Sequence, residues 1–214
     1  MRHWAQLVRP ALAALPLMSC APGVRPTTGT VAVRPVPATA LPAGHRLIVF
    51  QWTLEDRDSY SRGEGAVRQA GPDSARLDFF LGGGLGTGSA ILIGAELRVP
   101  EGAERTKGLF MPPVPLLWAV LGRAASPALP DTVLRVDGDT LRVDIGAPMS
   151  WRLTFSRDSL RRVEHVKGRR VIAWVSRSAE GRVRYRNEVT RRQLDVLITK
   201  FEETRLNAAV WTLP

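Results

Sequence analysis

From Arg46 onward the chain alternates apolar and polar side chains with a period of two, the spacing of a strand with one dry face. Leu141, Val143 and Ile145 stand opposite Arg142 and Asp144, and Trp151, Leu153 and Phe155 stand opposite Arg152 and Thr154. Val183, Tyr185, Asn187 and Val189 alternate with Arg182, Arg184, Arg186 and Glu188, and Leu194, Val196 and Ile198 extend the pattern. The pairs Asp137-Gly138, Lys167-Gly168 and Glu180-Gly181 punctuate these runs as tight hairpin turns. No helix-length gap interrupts most of 132–213, so this half predicts an antiparallel meander with one wet face and one dry face.

Further strands are predicted around 46–54, 63–69, 75–81, 89–94 and 96–100. Two of these are apolar on both faces: Ile48, Val49, Phe50 and Trp52 in one, and Leu77, Phe79, Phe80 and Leu81 in the other. Either both faces are covered there, or one lines an apolar cavity. A single helix is predicted at about 113–123, where Leu116, Leu117, Trp118, Val120 and Leu121 cover nearly its whole circumference. A helix apolar all round must be enclosed. The fold class that follows is mainly β, a strongly curled antiparallel sheet forming an open half-barrel of roughly ten strands around that short apolar helix.

Upstream of the domain, 46–214, the pattern stops. Residues 21–45 hold five prolines, no acid and no aromatic, and such a segment buries too little apolar surface to order itself. It is expected to be a disordered tether, at most about 75 Å when extended and nearer 30 Å as a coil. Before it, Arg2 and Arg9 precede the short apolar run ALAALPLM and then Ser19-Cys20-Ala21, the layout of a secretory signal peptide over 1–19. The run is shorter than the roughly 20 residues that cross a bilayer. Leu17-Met18-Ser19-Cys20 resembles the bacterial lipobox, which implies lipidation of Cys20, the only cysteine in the chain. The alternative is an ordinary signal peptide that contains a cysteine.

The chain carries 30 lysines and arginines against 20 acids. Removal of 1–19 takes away two arginines, so a net +10 becomes 28 minus 20, or +8. So basic a chain raises the question of nucleic acid, but export and the lack of any nucleic-acid motif argue against that partner. Anionic lipid or lipopolysaccharide headgroups are the expected counter-charge. No second apolar stretch reaches membrane-spanning length, since the best, 112–125, holds two interior prolines and Arg123.

No catalytic constellation is present. The stretch LGGGLGTGSA lacks the GxxxxGK[ST] phosphate cradle and has Ser89 where GxGxxG needs glycine. His3, His45 and His165 have no ligand spacing, no serine sits in a GxSxG or SxxK setting, and Asp131, Asp137, Asp139 and Asp144 lack calcium-loop spacing. The chain is therefore not expected to be an enzyme, and no cofactor is expected beyond the covalent lipid on Cys20.

The domain resembles the lipoprotein-localisation carriers LolA and LolB. The strand RLDFF (76–80) runs into a hairpin bearing Leu85-Gly86, the helix LLWAVLG (116–122) is similar to the family's lid helix, and WRLTF (151–155) to the strand that follows it. The hairpin is longer and richer in glycine than the family pattern and has no proline before its Leu-Gly. The resemblance implies an outer-membrane lipoprotein facing the periplasm, whose half-barrel holds acyl chains of a lipid or lipoprotein without catalysis, with a periplasmic carrier protein as a further partner. Its cargo-binding residues would be Leu77, Phe79, Leu85, Leu92, Leu117, Trp118 and Leu121. Two local alternatives stay open: Leu85 is a hydrophobic finger or a plain hairpin tip, and Trp118 lines an acyl pocket or is ordinary core. A structural or assembly lipoprotein with a filled core, binding a protein partner, is the competing function.

Overall fold

A computed structural model of the chain describes residues 22–37, 40–84, 86–103, 111–125 and 131–213. Cys20 and Leu85 lie outside the described residues. A first meander comprises β2 (His45–Asp56), β3 (Ser59–Ala70), β4 (Ser74–Leu81), β5 (Thr87–Ile93) and β6 (Glu96–Arg98). Helix α1 (Val114–Leu121) follows. A second meander runs through β7 (Thr132–Asp137), β8 (Thr140–Ile145), β9 (Trp151–Ser156), β10 (Ser159–Lys167), β11 (Arg170–Arg177), β12 (Arg182–Asn187) and β13 (Arg192–Glu203). A two-residue strand, β1 (Thr30–Val31), precedes them all.

The strands form one antiparallel sheet in the order β1-β7-β8-β9-β10-β11-β12-β13-β2-β3-β4-β5-β6. The two meanders join where β13 pairs with β2 along nearly the full length of both. The sheet does not close: β1 and β6 are its free edges, both very short, which limits the unpaired backbone available for unwanted strand addition. Thirteen strands stand against the roughly ten expected; the edge strand β6 was expected at 96–100, whereas β1, of two residues, carries no alternation to detect.

The alternation does fix the faces. Ile48, Phe50, Trp52 and Leu54 of β2, Leu141, Val143 and Ile145 of β8, and Val183 and Tyr185 of β12 are buried on the concave side. Helix α1 lies on that side, packing against β10, β11 and β12. Pro115 is tolerated in its first turn, where no intrahelical donor is needed. Gly122 ends it at φ +96°, a left-handed conformation that glycine adopts without strain, and the amide of Arg123 reaches back to the carbonyl of Trp118 at 2.9 Å.

The outer face is a lattice of cross-strand ion pairs. Asp78 accepts from Arg68 and Arg76, and the other end of Arg76 donates to the carbonyls of Val210 and Thr212 at 2.8 Å each, strapping the C-terminal segment over β4. Arg152 pairs with Asp144 and donates to the carbonyl of Arg25 at 2.7 Å. That last bond belongs to a departure from expectation. Residues 22–34 of the proline-rich segment lie against the sheet: Thr30 and Val31 pair with β7, and the amide of Val24 donates to Arg169 at 2.9 Å. Low apolar content does not prevent this, because the contacts are made by backbone groups finding partners on the sheet.

Candidate functional site: an apolar groove beside the helix

The concave surface of β2, β3, β4 and β13 stands away from α1 and leaves room. Gly65 of β3 is the local reason. A Cβ there would lie 2.3 Å from the Phe50 ring, so glycine alone lets Phe50 lie flat across its neighbour strand. Phe50 meets Phe79 edge-on with ring centroids 5.7 Å apart, and Trp52 meets Phe79 at 6.1 Å. The indole of Trp52 donates to the carbonyl of Glu64 at 2.9 Å, which pins this aromatic wall.

Two apolar spaces adjoin that wall. The inner one is a small space of about 40 Å³ between the sheet (Phe50, Leu77, Phe79, Val196) and the helix (Leu117, Leu121). The outer one is a groove of about 420 Å³ bordered by Trp52, Leu54, Leu81, Val99, Pro100 and Leu194. Phe79, Met111 and Leu194 line both, so these three side chains form the partition between groove and interior. The groove lies within the range of roughly 300–1,000 Å³ usual for small-molecule sites, and the inner cavity alone does not. A wider depression of about 890 Å³ nearby has mixed walls, with Leu97, Val99, Met111 and Val114 beside Glu96, Arg98, Asn187 and Arg192.

The other flank of α1 is solid. Trp118 and Leu92 are each 0% exposed, and the Trp118 indole donates to the carbonyl of Gly94 at 2.7 Å. Arg123 stacks over the same indole at 4.6 Å. At the C-terminal end of the helix Arg177 donates to the carbonyls of Val120 and Ala119. Burial, reinforced by the like charge of Arg161, pushes the Arg177 guanidinium down to about 10. The helix is thus held through Trp118 on one flank and through Arg177 at its C-terminal end.

The structure therefore divides the expected site residues. Leu77, Phe79, Leu117 and Leu121 come together in the cavity walls, whereas Leu92 and Trp118 sit in packed core. The alternation of β13 placed Leu194 on the dry face, but only the β13–β2 pairing shows that this face meets Phe79 across the groove. Met111, in an irregular segment before the helix, carries no pattern that would single it out. Among the described residues no group of three or more histidine, cysteine or acidic side chains is placed to hold a metal ion. No described helix is long and apolar enough to cross a membrane.

No family model matches the sequence, and no curated protein matches it. Solved structures do match. A LolA-superfamily protein from Nitrosomonas europaea superposes with a TM-score of 0.53 at 9% identity, covering 81% of this chain and 92% of that one. A Vibrio parahaemolyticus domain assigned provisionally to outer-membrane lipoprotein sorting follows with a TM-score of 0.45 at 6% identity, covering 78% and 89%. A DUF1329 family protein from Desulfovibrio piger gives 0.44 at 8% identity, covering 79% and 90%. The first of these likenesses identifies the fold of this chain as the LolA/LolB-like half-barrel.

Proposed function

We propose that the protein is a lipid-anchored envelope lipoprotein, attached through Cys20, that binds acyl chains of lipids or lipoproteins without catalysis in the groove between β2, β4 and the segment after β6. The observation that carries this is the apolar groove of about 420 Å³, which meets the inner cavity at Phe79, Met111 and Leu194. A straight hydrocarbon chain needs no polar partner, and each methylene taken from water contributes about 0.8 kcal/mol. About ten such groups would give on the order of 8 kcal/mol before the cost of association. Transfer between two such proteins requires only a difference in affinity for the cargo.

The fold supports the same reading, since a similar half-barrel occurs in a protein named for the LolA superfamily. The competing scaffold with a filled core has support on the Trp118 flank alone. The outer membrane, faced from the periplasm, is the proposed site of action, and a soluble periplasmic carrier is the proposed donor.

The test is a titration of the chain from Ala21 onward with a fluorescent fatty acid, competed by a triacylated lipopeptide. Saturable binding that Leu81→Arg weakens by roughly tenfold or more is expected, because the change puts a charge at the groove rim without entering the core. A folded protein that shows no saturable binding would sink the proposal.

A further inference from the structure

In an antiparallel meander alternate turns share a rim. One rim of this half-barrel carries the β2–β3 turn (57–58), the glycines 82–84 after β4, the β8–β9 turn (146–150), the β10–β11 turn (168–169) and the β12–β13 turn (188–191). The groove opens at this rim, because Leu54, Leu81, Thr87 and Leu194 are all strand-end residues beside these turns. The opposite rim carries the turns at 71–73, 94–95, 138–139, 157–158 and 178–181.

The two rims differ in charge. The opposite rim's turns contain Asp73, Asp139, Asp158 and Glu180 against Arg157, and Glu96, Asp137, Arg177 and Arg182 stand at the flanking strand ends. The groove rim's turns contain Arg57, Arg169 and Arg191 against Asp58 and Glu188, and the flanking strand ends add Lys167, Arg170 and the ion pair of Arg192 with Asp56. Glu188 is already occupied, accepting from the Trp174 indole and from Arg186. Lys167, Arg169 and Arg170 are exposed. Further along the same rim Tyr60 and Val189 are each 60% exposed and Leu81 36%, groups of the kind that settle at a headgroup boundary.

The docked N-terminal segment reaches this same place. The amide of Val171 donates to the carbonyl of Pro22 at 3.1 Å, that of Val24 donates to Arg169 at 2.9 Å, and Gly23 bridges Arg170. Arg152, itself buried, grips the carbonyl of Arg25, which adds a further exposed cation. Two peptide units separate Cys20 from Pro22, a reach of at most about 8 Å. A chain leaving an anchor at Cys20 therefore enters the fold at the β10–β11 turn rather than at the end of a long leash.

We propose that the rim bearing Lys167, Arg169 and Arg170, where the chain from Cys20 joins the sheet, is the face this protein lays on an anionic phospholipid surface, so that the groove opens toward the bilayer. The proposal rests on the lipid-anchor reading of Cys20 for its geometry, while its electrostatic part stands on the exposed cations alone. Cations beside an anionic leaflet add their attractions and lose them with salt. Acyl chains could then pass between bilayer and groove across one rim.

Two arms test it. In the first, the Cys20→Ser protein is mixed with vesicles of phosphatidylcholine containing phosphatidylglycerol, and with vesicles of phosphatidylcholine alone. Binding to the anionic vesicles only is expected. The combined change Lys167→Glu, Arg169→Glu and Arg170→Glu should weaken it by roughly 100-fold at low salt, while Arg157→Glu with Arg182→Glu on the opposite rim should not. Equal loss from both sets, or from neither, overturns the proposal. In the second arm the lipidated protein sits on the same vesicles with a fluorophore on Val189→Cys or on Asp73→Cys, and a quencher is carried by the lipid. Strong quenching at position 189 and weak quenching at 73 is expected, and equal quenching overturns it. If mass measurement finds no lipid on Cys20, the anchor reading fails, and the first arm still decides the basic rim.

Discussion

At the scale of single residues, a few side chains decide how the groove is built and how it responds to pH. Phe79 is the keystone of the aromatic wall, touching Phe50 and Trp52 edge-on and dividing groove from cavity. Phe79→Ala would merge the two spaces and destabilise the protein by about 2–3 kcal/mol, below the full cost of a completely buried ring. Urea unfolding would measure it. His165 lies flat against the Trp151 indole with ring centroids 4.4 Å apart, and burial holds its pKa below the usual 6.5. The folded state thus favours the neutral imidazole. Between the folded pKa and 6.5 the unfolded chain binds more protons, so stability is full above about pH 6.5 and falls as the pH drops through the folded pKa. His165→Gln should flatten that part of the pH profile in thermal melts, and an unchanged slope would refute the assignment.

At the scale of elements, the helix and the strands around it were legible to different degrees. The apolar run at 116–121 announced an enclosed helix, and α1 is enclosed, with Pro113 and Gly122 setting its ends. Which of its flanks faces open space was not legible. A helix apolar all round gives no preferred direction, so Trp118 was as good a candidate for the cavity as Leu117. The backbone decides it: the carbonyl of Gly94, between β5 and β6, lies in reach of the Trp118 indole and pins that side. Trp118→Phe removes the donor and leaves the carbonyl unpaired, at a cost of about 1–3 kcal/mol. Acyl binding should persist in this variant, because the groove lies on the other flank. Loss of binding with full retention of fold would place the cargo against Trp118 instead.

At the scale of the whole molecule, the curled sheet was readable from alternation alone, since each strand showed its dry face. The pairing of β13 with β2, which brings Leu194 across from Phe79, joins segments some 140 residues apart along the chain and leaves no local signature. The docking of residues 22–34 was equally hidden, because it is written in backbone hydrogen bonds rather than in side-chain pattern. These two long-range events give the protein its functional geometry. The first builds the groove, and the second sets the segment after Cys20 on the rim where the groove opens. On the proposed function, the apolar groove, the basic rim and a lipid anchor at Cys20 would work together in moving hydrocarbon chains at a membrane surface.

The most direct measurement is photochemical mapping of the cargo. A fatty acid carrying a diazirine near its methyl end would be bound to the protein, irradiated, and its adducts located by mass spectrometry. Saturable adducts on Phe79, Leu81, Val99, Met111 or Leu194, suppressed by an unlabelled triacylated lipopeptide, are the predicted result. Adducts spread over the outer face, or labelling that competitor does not reduce, would contradict the account.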